Sequence, residues 1–414
     1  MTRGRHSLPK ATRLLALVAT MVVAAGIAVA AGSASAQAPH SSTAHGVAAQ
    51  QGTGTSTSAS ASADAAESRR SGAPAAPTAK GGFNAAPPQH GADGTHATEP
   101  SSEAPKPGAA APPAVDPFPG RDQAGPPSPE DFVDIRQVPP SAGEAKPGAK
   151  ASTGMFTSRC GTNRRGHRNS DNYMVAPGKL NGAQHVHDYV GNTSADAFST
   201  NENLAQGGTT CLFGDKSVYF WPVLRDTSKV GPDAQADGGG KDGNVGAFIR
   251  PSDVQLQFRG NAASKVKAMP RFLMIITGDA KTVTNGPANA RAQWTCSGFT
   301  DRVTTKYPLC PRGSKLMRIL DFASCWDGQN LDSANHRTHM AFAGADGACP
   351  AGFVTVPQLR MVLSYERPNG KNFALDSFPN QRHAPQTDHG DFHNLMPRFL
   401  MALATSCINR GRTC

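Results

Sequence analysis

Eight cysteines, Cys160, Cys211, Cys296, Cys310, Cys325, Cys349, Cys407 and Cys414, all lie beyond residue 159 of a 414-residue chain. An even number confined to one region, with no CxxC pair among them, reads as a disulfide framework rather than a zinc knuckle or a redox motif. Each bridge demands that two backbone segments approach within a few ångströms, so the set limits the fold more than any other feature. Connectivity is not fixed by sequence; Cys296 with Cys310 and Cys325 with Cys349 are expected, because each pair closes a short loop.

An oxidising compartment fits the opening of the chain. Arg3, Arg5, Lys10 and Arg13 precede the apolar run Leu14 to Ala31, and Ala34-Ser35-Ala36 follows. Basic, apolar, then small-x-small is the order of a secretory signal peptide, assigned to residues 1–36. The run is long enough for an uncleaved anchor, but the adjacent Ala-x-Ala favours cleavage. Residues 37–150 are built of Ala, Ser, Gly, Pro and Thr, with almost nothing to bury, and read as a disordered linker. Residues 151–414 then form one globular domain, long enough for a real core. The expected location is secreted, at the cell wall, with no membrane contact beyond the signal segment.

The formal charge is +10; residues 1–36 hold four bases and no acid, and residues 37–150 hold eight bases against eleven acids, which leaves +9 on residues 151–414. A cationic domain favours acidic partners, here an extracellular polysaccharide or an anionic wall polymer. RCGTNRRGHR, Arg159 to Arg168, and NRGRTC, Asn409 to Cys414, carry part of that charge. The plainer reading is charge kept for solubility.

Within the domain the apolar segments are short and β-like: SVYFWPVL from Ser217, DVQLQF from Asp253, FLMIITG from Phe272 and FVTVPQLRMVLSY from Phe353. Loops rich in Gly, Pro, Asn and Asp separate them. Phe392, Leu395, Phe399, Leu400 and Leu403 share helical spacing behind Asp391, a candidate cap, and predict a C-terminal helix. The fold class is therefore mainly β, a single disulfide-stapled antiparallel domain, sandwich-like, with long loops.

Three loop-like phrases, GAQHVHDYVGNTS, CWDGQNLDSANHRTHMAF and RHAPQTDHGDFHN, each combine imidazole with carboxylate or amide and glycine. His185 and His187 are two apart, so on an extended segment they project to one side. Such a pair can share a metal, with Asp188 orienting a ring. His336 and His339 are three apart, which puts them together on a helical turn or across a tight loop; His389 and Asp391 repeat the spacing of two. The candidate metal ligands are His185, His187, His336, His339 and His389. The candidate catalytic residues are His185, His187, Asp188 and Asp391. For His383 and His393 a hydrogen-bonded structural role is the better reading. No cofactor-binding residues are assigned beyond a divalent metal. GxSxG, P-loop, dinucleotide and HExxH signatures are missing, which removes the usual marks of nucleophile-elbow hydrolases, nucleotide enzymes and zincins. No nucleotide partner is expected.

With these phrases in order, together with TTCLFGDKSVYFWPVL and VPQLRMVLSY, the chain resembles the DUF1996 family over about Asp171 to Cys407. The resemblance implies an exported protein of a kind found in bacteria and fungi, and it groups the three phrases without bringing a reaction. The family pattern carries an acid where this chain has Asn335, which can bind oxygen but cannot act as a base. Two functions fit: a polysaccharide-active enzyme, as metal-assisted hydrolase or as lyase, and a non-catalytic module binding wall glycan or metal.

Overall fold

The computed structural model describes residues 125–414; the signal segment and most of the linker expected from sequence lie outside the described residues. Ten strands build two five-stranded sheets. In chain order they are β1 (Met155–Ser158), β2 (Arg168–Asn169), β3 (His187–Gly191), β4 (Val218–Pro222), β5 (Asp253–Arg259), β6 (Met274–Gly278), β7 (Gln293–Cys296), β8 (Leu316–Asp321), β9 (Gln358–Tyr365) and β10 (His389–His393). The first sheet runs β7-β8-β9-β5-β1 and the second β2-β3-β4-β10-β6, with every pairing antiparallel.

The two sheets pack face to face, as a sandwich requires. Phe258 of β5 and Phe322, just after β8, meet Phe392 of β10 edge-on at ring separations of 5.9 and 6.2 Å. Gly390 of the same strand lies against Leu320 and Phe322; a Cβ there would stand 2.9 Å from Leu320, so the sheets approach where a side chain is missing. Along β5 only Leu256 and Phe258 are buried, the period-two pattern of a sheet with one wet face. In β3, β4 and β10 every residue is buried. The second sheet is therefore covered on its outer face too, by a smaller apolar cluster of Tyr173, Met174, Tyr189, Leu204, Val218, Phe220 and Leu395.

Four disulfides staple this body: Cys160–Cys211, Cys296–Cys310, Cys325–Cys349 and Cys407–Cys414. The two short-loop pairs expected from sequence are among them. Among the described residues no helix is long and apolar enough to cross a membrane.

Two boundaries differ from the sequence reading. Residues before Lys150 join the fold: Phe132–Asp134 pairs in parallel with Tyr307–Leu309, and Ile135 is fully buried. The few apolar side chains of that stretch find a place that its composition conceals. The C-terminal helix spans Arg398–Asn409 and begins at Pro397, whose fixed φ suits a helix start. Phe392 and Asp391 belong instead to β10, where two neighbouring strands bond their backbone. Leu400, Met401, Ala404 and Ile408 form the buried face of the helix, while Phe399 and Leu403 are exposed. Helical spacing carried across Pro397 joined a strand to a helix.

Candidate functional site

The outer face of the second sheet carries the chemistry. Side chains alternate along a strand, so His187 and Tyr189 of β3 share one face with His389, Asp391 and His393 of β10. Phe220 of β4 stands between them: Tyr189 stacks on its ring at 4.8 Å, and His187 meets it edge-on at 5.2 Å. His187 is paired with Pro222 in the ladder and His389 with Gly278, so both histidines sit at one end of the sheet.

His185, just before β3, completes the group. Its Nε2 is 3.3 Å from His389 Nε2, and His187 Nε2 is 3.4 Å from the same atom. All three rings are buried. His389 Nδ1 lies 2.8 Å from the Thr387 carbonyl, which can only accept, so this nitrogen carries the proton and Nε2 presents a lone pair to the other two rings. The Nδ1 atoms of His185 and His187 are buried without a hydrogen-bond partner. Burial pushes all three imidazoles toward the neutral form, helped for His185 and His187 by the neighbouring rings; His389 is lowered to about 4. Neutral rings with converging Nε2 atoms are what a metal-binding set needs.

Two buried ion pairs hold this arrangement. Asp388, beside His389, takes Arg318 of the opposite sheet at 2.5 and 3.1 Å, and Arg318 also donates to the Pro222 carbonyl. Asp376 binds Arg225 at 2.5 and 2.9 Å and accepts from the backbone N–H of Val186, the residue between the two histidines. One pair thus braces each half of the cluster.

A cleft of about 380 Å³ opens above it, lined by His185, His389, Asp391, His336, Arg337, Asp279, Lys281 and Phe378 among others. Both carboxylate oxygens of Asp391 are buried without a hydrogen-bond partner that meets full geometry. Burial raises this carboxyl to about 7, against the opposing pull of Asn172 and Arg337.

The remaining candidates stand apart from the three rings. His336 lines the cleft in a left-handed conformation, φ 55°, with Nδ1 bonded to Asp332 at 2.9 and 3.0 Å. His339 is buried with both nitrogens engaged, by Ser333 at 2.9 Å and by the Met274 carbonyl at 2.7 Å, which leaves no lone pair for a metal. Asp188 follows His187 and so faces the inside of the sandwich; Arg168 at 2.6 Å and Asn163 at 2.7 Å bind it there. Burial raises its pKa while these partners lower it. His383 lies between the Leu375 and Gly243 carbonyls, and His393 meets the Tyr173 hydroxyl.

Arg337, Asp279 and Lys281 were not singled out from sequence. Arg337 adjoins a histidine already noted, and Asp279 and Lys281 follow directly on β6; the end of a strand beside a histidine phrase was the available signal.

Fold and site together define a class: a disulfide-stapled β-sandwich with three buried, mutually facing imidazoles beneath a polar cleft. The chain belongs to the family described as a domain of unknown function, DUF1996, whose profile matches residues 173–394. That span contains all three histidine phrases and stops short of the C-terminal helix. No curated protein and no solved structure matches the chain.

Proposed function

We propose that the protein is an exported, metal-dependent enzyme acting on an extracellular polysaccharide, with His185, His187 and His389 as the metal ligands. The convergence of three buried Nε2 atoms carries this reading. Two nitrogens bound to a tetrahedral zinc at ~2.0–2.1 Å stand about 3.3–3.4 Å apart, and the two spacings to His389 are 3.3 and 3.4 Å. The three ligand atoms all lie within 4.8 Å of one another. A bound divalent ion supplies Lewis acidity toward a substrate oxygen.

The chain's own groups do the rest. Asp391 places unpartnered carboxylate oxygens in the cleft wall, the position of a proton acceptor in hydrolysis. Lys281 and Arg337 bring positive charge to the same wall, the Lys281 ammonium lying 4.6 Å over the Phe378 ring. The buried Trp221 and Trp294 are out of reach of a sugar ring. Four disulfides and the signal-like N-terminus support export.

Elemental analysis of the full chain, beside a His185→Ala/His389→Ala variant checked by circular dichroism, tests the reading. The expected result is near-stoichiometric metal in the parent and none in the folded variant. Equal metal content in both, or no uptake by the parent from zinc, manganese, copper or calcium, would overturn it.

A further inference from the structure

We infer that the protein has a second binding surface, separate from the histidine cleft, that takes an acidic polysaccharide. It lies on the loop from Cys160 to Arg168, the basic phrase for which the proposed chemistry has no use. Two hollows of about 520 and 420 Å³ adjoin there and share Asn163 and Arg164 in their walls. Arg164, Arg165 and Arg250 line them, are exposed, and form no ion pair among the described residues. The single acid in either wall, Glu366, is already paired with Lys315 at 2.9 Å. An uncompensated cationic concavity recruits polyanions.

The loop is built rather than loose. The Cys160–Cys211 disulfide fixes its start. Asn163, itself left-handed at φ 53°, donates to the His167 carbonyl at 2.9 Å and accepts from His167 N–H at 2.8 Å. Its amide and Arg168 both grip the buried Asp188, so the turn between them projects Arg164 and Arg165 outward.

The lining favours glycan over nucleic acid. Single-stranded nucleic acid is held by aromatic platforms on which bases stack. Here Tyr189 is buried beneath the stacked His167 ring, and the guanidinium groups of Arg168 and Arg225 already lie over Phe248. Thr162 and Thr193 supply hydroxyl groups instead, which suit sugar hydroxyls beside a carboxylate.

The test is retention of the full chain on immobilised polygalacturonate at rising salt, with single-stranded DNA of matched charge and neutral dextran as competitors. The parent is expected to bind, with affinity falling as salt rises. Arg164→Ser/Arg165→Ser should weaken binding at least about tenfold, and Arg250→Ser, which leaves the loop intact, should weaken it less. His389→Ala should bind as the parent does, which separates this surface from the metal site. Failure of the parent to bind, undiminished binding by the arginine variants, or displacement by DNA as readily as by free polygalacturonate would each overturn the inference.

Discussion

The Nε2 atoms of His185 and His389, 204 positions apart in sequence, lie 3.3 Å from each other. With His187 they form a closed group of neutral rings whose Nε2 atoms have no other protein partner. Sheet order makes this possible: β4 alone separates β3 from β10, so residues on one face at one end reach across a single strand.

Metal should therefore act on stability as well as content. Zinc added to chelator-treated protein is expected to raise the unfolding temperature, by about 4 kcal/mol of stabilisation at a thousandfold excess over Kd. His187→Ala should abolish the shift although His187 is fully buried. An unchanged shift in that variant would remove His187 from the ligand set; thermal unfolding with and without zinc decides it.

Arg318→Met would leave Asp388 buried and unpaired. The expected cost is about 3–5 kcal/mol in denaturant unfolding. Arg318→Met/Asp388→Leu should recover much of it, since a packed apolar pair avoids the uncompensated charge. Equal loss in the single and double variants would argue against the ion pair as the brace.

Acid should destabilise the fold through His393. Burial lowers its folded-state value to about 3, against 6.5 ordinarily. The unfolded chain thus takes up a proton that the folded one refuses. The contribution of neutral His393 is fully present above about pH 6.5 and is lost as pH falls toward 3, at about 1.4 kcal/mol per pH unit. His393→Gln, still able to meet the Tyr173 hydroxyl, should flatten the slope by one proton. Denaturation midpoints at neutral and mildly acidic pH measure the difference, and parallel slopes would refute it.

Asp188→Asn separates a strut from a catalytic group. Metal content should stay at the parental level, while stability falls toward the lower end of the about 3–5 kcal/mol range for a broken buried pair, because Arg168 is partly exposed. Binding to polygalacturonate should fall as the arginine loop loosens. Metal loss in the folded variant would place Asp188 in the histidine site after all.

Replacing Cys325 and Cys349 by alanine is expected to cost about 3 kcal/mol, and replacing Cys407 and Cys414 less, because the bridges close loops of 24 and 7 residues. Urea midpoints of the two double variants give the order directly.

Much of the β architecture was legible because its cause is local. DVQLQF alternates along a one-sided strand, SVYFWPVL is dense enough to be buried, and the short-loop argument finds Cys296–Cys310 and Cys325–Cys349 while passing over Cys407–Cys414, whose loop of 7 is shorter still. The helix boundary was less legible, since spacing of three and four ran through Pro397 from β10. The fold's start before Lys150 was hidden because Phe132, Ile135 and Val138 are too few to stand out against their Pro- and Gly-rich surroundings.

The sequence by itself determined which groups were available: the histidine phrases, the cysteines, and the two-residue spacing that puts His185 with His187 and His389 with Asp391. Only the tertiary structure decided which of them meet. A strand's alternation sends His187 to the outer face and Asp188 to the inner one. His339 is tied to a carbonyl of β6 and His336 to its own neighbour Asp332. Distance between phrases far apart in sequence is set by sheet order and by ion pairs such as Arg318–Asp388, long-range contacts that no local pattern encodes.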